Sequence, residues 1–400
     1  MVDVTPTDDA TAVDVPAAER GRGRRAGVIV GRTVIALVSA AALVAVGIGW
    51  FTLDRIKAST NTTQALAQVG SEPNQPPVDD GATDILLVGD DSRTDAQGNP
   101  LPDRVLKGLL RTTFDAGVNT DTIMILRLPN NGGPTYAVSI PRDTYVDIPG
   151  YQKDKINSAY GVLTARTHST AAGQKALIET VQNLTGAHID HYVEVNLYGF
   201  YLLSKAVGGV EVCLKHATSD PDSGSNFRAG TQLVSGANAL SFVRQRKNLP
   251  NGDLDRIVRQ QVFLASAAHK VLSAGTLTSP TALSALLDAM KKSLVTDPGL
   301  DFPSLVQQLQ GLASGAMEFV TIPVVNSNAR SASGQSIVQV DVNQVHQFMT
   351  ALTGPPTPTP TPTHTITPTH TTSPTTTPPA AAPTNEPTPP VSLDGVRCVD

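Results

Sequence analysis

The apolar positions along the chain recur with different periods, and each period predicts a different element. Residues 33–53 form one apolar stretch that no charge interrupts. At about 1.5 Å per helical residue, roughly twenty such residues cross a bilayer core. Asp84-Ile-Leu-Leu-Val-Gly89 is a short apolar run closed by glycine, the pattern of a buried strand. Thr122-Ile-Met-Ile-Leu-Arg-Leu128 and Tyr136-Ala-Val-Ser-Ile140 predict two more strands. Asn130-Asn-Gly-Gly-Pro134 between them is turn chemistry that suits a hairpin. His191-Tyr-Val-Glu-Val195 alternates as a strand does, Val210-Glu-Val-Cys-Leu214 follows, and residues 318–325 read as a late strand. Apolar residues at helical spacing predict helices over 171–184, 198–207, 254–273, 281–294, 303–313 and 342–352. Strands and helices mix without a repeating βαβ period. The expected fold is a three-layer α/β or α+β domain around a mixed sheet, preceded by one transmembrane helix.

The flanks of the first apolar stretch orient it. Arg20, Arg22, Arg24, Arg25 and Arg32 precede it, and Trp50 and Phe51 stand at its far end, where aromatic rings suit the interface. The basic side stays in the cytoplasm, so everything after Asp54 is expected outside the membrane. A cleaved signal peptide is the alternative, but its apolar region would be shorter and a small-residue cleavage site should follow. Ala40, Ala41 and Ala42 are embedded too deeply to serve, which favours an uncleaved anchor. The expected organisation is a cytoplasmic segment 1–32, a transmembrane helix 33–53, a polar linker 54–81, a catalytic domain 82–354 and a Thr/Pro-rich disordered tail 355–400. Thr-Pro repeats hold an extended shape and bury nothing, so the tail reads as a spacer, possible carrier of sugar, or as inert chain. Outside the membrane Cys213 and Cys398 can stay oxidised; a bridge would pin the tail to the domain. The alternative is a buried free thiol and an incidental terminal one.

The net charge of −5 and an aromatic fraction of 4% speak against a nucleic-acid partner, for which a basic surface or a stacking platform is expected. Against that acidic balance, Arg244, Arg246, Arg256 and Arg259 fall within sixteen residues. A polyanionic ligand is the natural reason, since the guanidinium fork matches phosphate oxygens and keeps its charge. If residues 242–246 are extended, Arg244 and Arg246 point to the same side. Arg256 and Gln260 share a helix face, and Arg259 lies nearer the solvent boundary. Asp253 and Asp255 suit the first turn of that helix as caps and dipole partners, and a salt-bridged helix would account for two of the arginines.

Three further clusters sit at predicted strand ends. In Gly89-Asp-Asp-Ser-Arg93 the adjacent Asp90 and Asp91 diverge, so one of them faces a given ligand. With Asp121 at the mouth of the next strand, two carboxylates can hold one Mg²⁺ whose other ligands are water and phosphate; the alternative is a loop of solvated charge. Ser139-Ile-Pro-Arg-Asp-Thr144 offers Arg142 and Asp143 to the same crevice or to solvent, and Lys153-Asp-Lys-Ile-Asn157 leads into a helix with Lys155 able to touch a phosphate.

Together these blocks resemble the LytR-CpsA-Psr family of cell-wall proteins. The matching text is Ile85-Leu-Leu-Val-Gly-Asp-Asp-Ser-Arg93, Thr120-Asp-Thr-Ile-Met124, Val138-Ser-Ile-Pro-Arg-Asp-Thr-Tyr145, Lys155-Ile-Asn157, Gly208-Gly-Val-Glu-Val212 and Phe242-Val-Arg-Gln-Arg246 with Asp255-Arg-Ile-Val-Arg-Gln260. The Thr/Pro tail with its Cys is similar to actinobacterial members. The resemblance implies an α/β/α domain that holds a polyprenyl-pyrophosphate-linked glycan and transfers the glycopolymer to a hydroxyl of peptidoglycan, releasing polyprenyl phosphate. It implies pyrophosphate contacts from Arg93, Arg142, Lys155, Arg244, Arg246, Arg256 and Gln260, with Arg93, Arg142, Arg244 and Arg246 acting in catalysis. It places Mg²⁺ or Mn²⁺ on Asp91 and Asp121, and the isoprenoid tail in an apolar tunnel. Two features depart from the family pattern. Asn119 stands where many relatives have Arg, and the connection 94–118 is long, suiting a lid or a contact on the acceptor side.

Overall fold

A computed structural model of the chain describes residues 61–70, 75–110, 118–273, 280–301, 305, 317–353, 391–392 and 397–400. The expected cytoplasmic segment, the transmembrane stretch 33–53 and the helix 303–313, apart from residue 305, lie outside these residues. Among the described residues no helix is long and apolar enough to cross a membrane.

Eight strands form the main sheet: β1 (Asn61–Thr62), β2 (Ala82–Asp90), β3 (Thr120–Pro129), β4 (Thr135–Ser139), β5 (His191–Val195), β6 (Leu294–Thr296), β7 (Met317–Thr321) and β8 (Val391–Ser392). Their spatial order is β1-β6-β5-β2-β3-β4-β7-β8. The sheet is mixed. β2 lies parallel to β5 and antiparallel to β3, and β4 is antiparallel to β3 and parallel to β7. β3 and β4 are the expected hairpin, with Met124 opposite Ser139 and Arg127 opposite Tyr136.

The strands read as near-continuous apolar runs because both faces are covered. Successive side chains point to opposite sides. Leu86, Val88, Ile123, Ile125 and Val138 pack on one side against helices α1 (Ser158–Thr167) and α2 (Thr170–Thr185). Ile85, Met124, Leu126 and Ala137 pack on the other side. After α3 (Leu197–Ala206) come α4 (Ala237–Arg244) and α5 (Asp253–Ser273), which bring Phe242, Val262 and Phe263 to that second face. A last helix, α6 (Val342–Ala351), returns Val345 and Met349 to the first. Helix, sheet and helix thus stack in three layers. Local signals fix the helix ends. Ser169 Oγ accepts from Ala172 N at 3.3 Å to start α2, and Gly186 ends it at φ 69°, a backbone conformation that glycine adopts without strain.

Four expectations need correction. Residues 61–69, read as polar linker, carry β1 and a helix, Ala65–Val69, whose Ala65 and Val69 are an i,i+4 apolar pair buried in the core. The strand expected over 318–325 stops at Thr321, because Pro323 has no N–H to continue a ladder. Residues 242–246 are not extended: α4 runs to Arg244 and buries Ala239, Leu240, Phe242 and Val243 at helical spacing. Finally, the segment 355–400 does not end as a disordered tail. Val391 pairs with Phe319, and the strand Cys398–Val399 adds in parallel to Val210–Leu214. Val391 and Val399 are buried apolar residues, and Cys398 is bridged to Cys213 across 185 residues of sequence.

Candidate active site

Three of the sequence clusters meet at the carboxyl end of β2 and the amino end of β3. Strand β2 ends at Asp90, so Asp91 and Arg93 leave the sheet there. Strand β3 begins antiparallel beside it and carries Asp121 to the same rim. Asp91 is clamped by its neighbour: its Oδ1 accepts from Asn119 N at 2.7 Å, and its own N–H donates to Asn119 O at 3.0 Å. Asn119 therefore holds this loop through its backbone. Arg93 Nη1 donates to the Asp91 carbonyl at 2.5 Å and lies 3.4 Å from its carboxylate.

Helix α5 supplies the other wall. Its first residue, Asp253, is the counter-ion of three arginines: Arg256 at 2.9 Å, Arg142 at 3.6 Å and Arg246 at 3.7 Å. Arg142 is also ion-paired to Asp121, and Arg256 Nη2 donates to the Asp121 carbonyl at 3.4 Å. Arg244 ends α4 and donates to the Leu110 carbonyl at 3.1 Å. The long connection thus packs on the site. Its Leu106 and Leu110 bury against Leu197 and Leu240, and the Leu110 carbonyl holds a guanidinium.

Charge is costly here, and the balance shows which groups need a partner. Burial disfavours the charged forms of Arg244 and Arg256, more than Asp121 and Asp253 restore. Arg142 is the opposite case: burial works against its charge, but Asp121, Asp253 and Asp143 outweigh it. Burial raises the Asp121 carboxyl, yet Arg142 and Arg256 hold it below its ordinary range. Asp91 is raised, first by burial and then by the charge of Asp121, against the opposing Asn119 N–H. Arg244 and Arg256 are therefore cations that a bound polyanion would stabilise.

Two cavities meet at these residues. An apolar one of about 210 Å³ is walled by Leu87, Met124, Val193, Phe200, Phe263 and Leu264. A polar one of about 530 Å³ contains Arg246, Asp253 and Asp220. Asp121, Arg244 and Arg256 line both. Gln260 lies on the apolar side, with its amide donating to the Val243 carbonyl at 3.3 Å.

Of the residues singled out in the sequence, Arg244, Arg246, Arg256, Gln260 and Asp121 line these cavities. Arg142 reaches them through Asp121 and Asp253, whereas Arg93 pairs with Asp91, and neither of these two lines a cavity wall. Lys155 stands one ion pair further back, with its Nζ 3.1 Å from Asp143 Oδ1. Asp143 also lies 3.8 Å from Arg142, so it pairs with two cations. Arg259 is not near solvent but fully buried over the Phe242 ring, donating to Gln245 Oε1 at 2.8 Å and to the Asp400 carbonyl at 2.6 Å. Its burial, opposed by Asp255 and Asp400, lowers its pKa to about 10. It fastens the last residues to α5 and takes no part in the site.

The bridging role of Asp253 was not legible as such, because a first-turn aspartate has a sufficient local reason in the helix dipole. Its spacing of three residues from Arg256 was the available signal.

The geometry agrees with what the chain is similar to. The model of the LytR_cpsA_psr family matches residues 51–354. The cell wall biosynthesis protein LcpA of Corynebacterium glutamicum is 46% identical over 356 residues, 84% of this chain and 68% of that protein. A polyisoprenyl-teichoic acid–peptidoglycan teichoic acid transferase, TagU of Oceanobacillus iheyensis, is 30% identical over 285 residues, 71% of this chain and 79% of that protein. The LytR-Csp2A-Psr enzyme from Actinomyces oris shares the fold with a TM-score of 0.52 at 15% identity, over 74% of this chain and 96% of that one. With the match spanning the whole sheet up to β7 and every arginine of the rim, the chain belongs to the LytR-CpsA-Psr family.

Proposed function

We propose that the protein is a membrane-anchored phosphotransferase that moves a glycopolymer from a polyprenyl-pyrophosphate carrier to peptidoglycan, with its catalytic domain outside the cytoplasmic membrane. One observation carries the reading: Arg244 and Arg256 line an apolar cavity and a polar basin at once. A ligand with an oily chain and a multiply charged head meets both needs, and a prenyl pyrophosphate is such a ligand. The cell-wall roles named for LcpA and TagU support the same direction.

In this reading Arg244, Arg246 and Arg256 hold the diphosphate oxygens, and Gln260 stands where head meets tail. A hydroxyl of the acceptor attacks the phosphorus that bears the glycan. A phosphodiester forms, the bond to the bridging oxygen breaks, and polyprenyl phosphate leaves. Charge grows on the equatorial and leaving oxygens, and fixed guanidinium groups stabilise it there without reorganising. Asp253 and Asp121 position Arg142, Arg246 and Arg256 before substrate arrives.

The residues present fit a hard divalent ion. Among the described residues no three His, Cys, Asp or Glu side chains cluster for a metal. Mg²⁺ needs fewer where phosphate and water complete its shell. Asp91 and Asp121 are close enough for one to raise the pKa of the other, a repulsion that a cation between them relieves. Asp91 and Asp121 would hold Mg²⁺ or Mn²⁺, which when bound neutralises charge on the pyrophosphate.

The test supplies the full-length protein with lipid-linked glycan, Mg²⁺ and peptidoglycan. A new glycan–peptidoglycan phosphodiester is expected, and Asp121→Ala should lose most of the response to added Mg²⁺. Release of phosphate products without a linkage would make the protein a polyprenyl-pyrophosphate hydrolase. Binding without turnover would make it a lipid- or glycan-binding scaffold.

A further inference from the structure

On the opposite face of the sheet, at the same strand ends, lies a second polar cavity of about 730 Å³. That is within the roughly 300–1,000 Å³ of small-molecule sites. Its wall differs in kind from the arginine basin. Among the described residues no Lys or Arg lines it, whereas Asn61, Thr62, Gln97, Thr164, Gln174 and Ser293 do. Two wall residues have unmet capacity: the hydroxyl oxygens of Thr164 and Ser293 are buried without a hydrogen-bond partner, and Ser293 is only 1% exposed.

The cavity floor is a buried acid pair. Glu194 accepts from Tyr192 Oη at 2.6 Å, Gln174 Nε2 at 2.8 Å and Tyr160 Oη at 3.2 Å, and it lies against Asp90. Asp90 and Asn196 also line the apolar cavity, so this pocket adjoins the arginine site through the sheet edge.

The wall selects a chemistry. Carboxyl groups without a neighbouring cation repel an anion, which excludes a second phosphate. A large apolar group would bury amides and hydroxyls without partners, which opposes its binding. A neutral ligand dense in hydroxyl and amide groups satisfies both conditions, and an N-acetylated sugar carries both. We propose that this cavity is the acceptor subsite, binding N-acetylated sugar residues of a peptidoglycan strand. The proposal rests on the transfer reading above for the identity of the acceptor, but its binding chemistry is independent of the arginines.

The experiment titrates a soluble oligomer of β-1,4-linked N-acetylglucosamine into the full-length protein in detergent, by calorimetry or saturation-transfer NMR. Thr62 and Gln97 are exposed on the cavity rim. Thr62→Trp, and separately Gln97→Trp, should fill the mouth and weaken the oligomer about tenfold or more, while farnesyl pyrophosphate binds as in the parent protein. Failure of the parent protein to bind the oligomer saturably would overturn the proposal, as would unchanged binding in both folded variants. Loss of farnesyl pyrophosphate binding in the parent protein would count against the arginine site alone, which separates the two readings.

Discussion

Arg244→Ala is expected to lower kcat/KM for glycopolymer transfer by about 10²–10³-fold, the usual loss when one fixed donor to a developing charge is removed. The fold should survive. Among the described residues Arg244 gives one hydrogen bond, to the Leu110 carbonyl, and it stands at the last position of α4, where truncation leaves the packed face of Phe242 and Val243 untouched. Its charge is disfavoured by burial, so removing it relieves the ligand-free site as well as depriving the bound one. Arg244→Lys should recover only part of the rate, because a point charge cannot reproduce two parallel contacts to phosphate oxygens. Circular dichroism and thermal melts run beside the transfer assay decide the matter. Unfolding of Arg244→Ala, or turnover within a few-fold of the parent, would remove Arg244 from the chemistry.

Cys398→Ser is expected to destabilise the domain by about 2–5 kcal/mol in denaturant melts, the range for loss of a native bridge. The bond closes a loop of 185 residues and registers Cys398 opposite Cys213 and Val399 opposite Leu214. Serine at the exposed position 398 creates no cavity, so the loss isolates the crosslink. Reductant should lower the parent protein to the same midpoint and leave the variant unchanged. A variant that melts within experimental error of the parent would show that strand pairing and the Arg259 contact to Asp400 suffice without the bridge.

Much of the architecture could be read from period alone. His191–Val195 and Val210–Leu214 fall where alternation and apolar runs put them, because strands with both faces covered leave a strong local pattern. For residues 242–246 the sequence offered only the condition that extension would put Arg244 and Arg246 on one side, and the packing of Ala239, Leu240 and Val243 at helical spacing decides against it up to Arg244. Among site residues, those with an evident reason to be cationic were legible. Asp253 and Glu194 were not, because their importance lies in partners distant in sequence: Arg142 for one, Gln174, Tyr160 and Asp90 for the other. A single sequence carries no record of such encounters. Arg259 shows the converse. It belongs to the same arginine cluster as Arg256, yet nearly one turn further along the helix its guanidinium is taken up by Gln245, the Asp400 carbonyl and the Phe242 ring.

The pairing of Val391 with Phe319 and the bridge from Cys398 bind both flanks of the Thr/Pro stretch to one body. The chain from Cys213 to Cys398, that stretch included, is consequently a covalently closed loop. A protease that cuts within the Thr/Pro stretch leaves two polypeptides joined covalently. On a gel without reductant the cut protein would migrate near its original size, and with reductant a short carboxyl-terminal fragment would part from the rest.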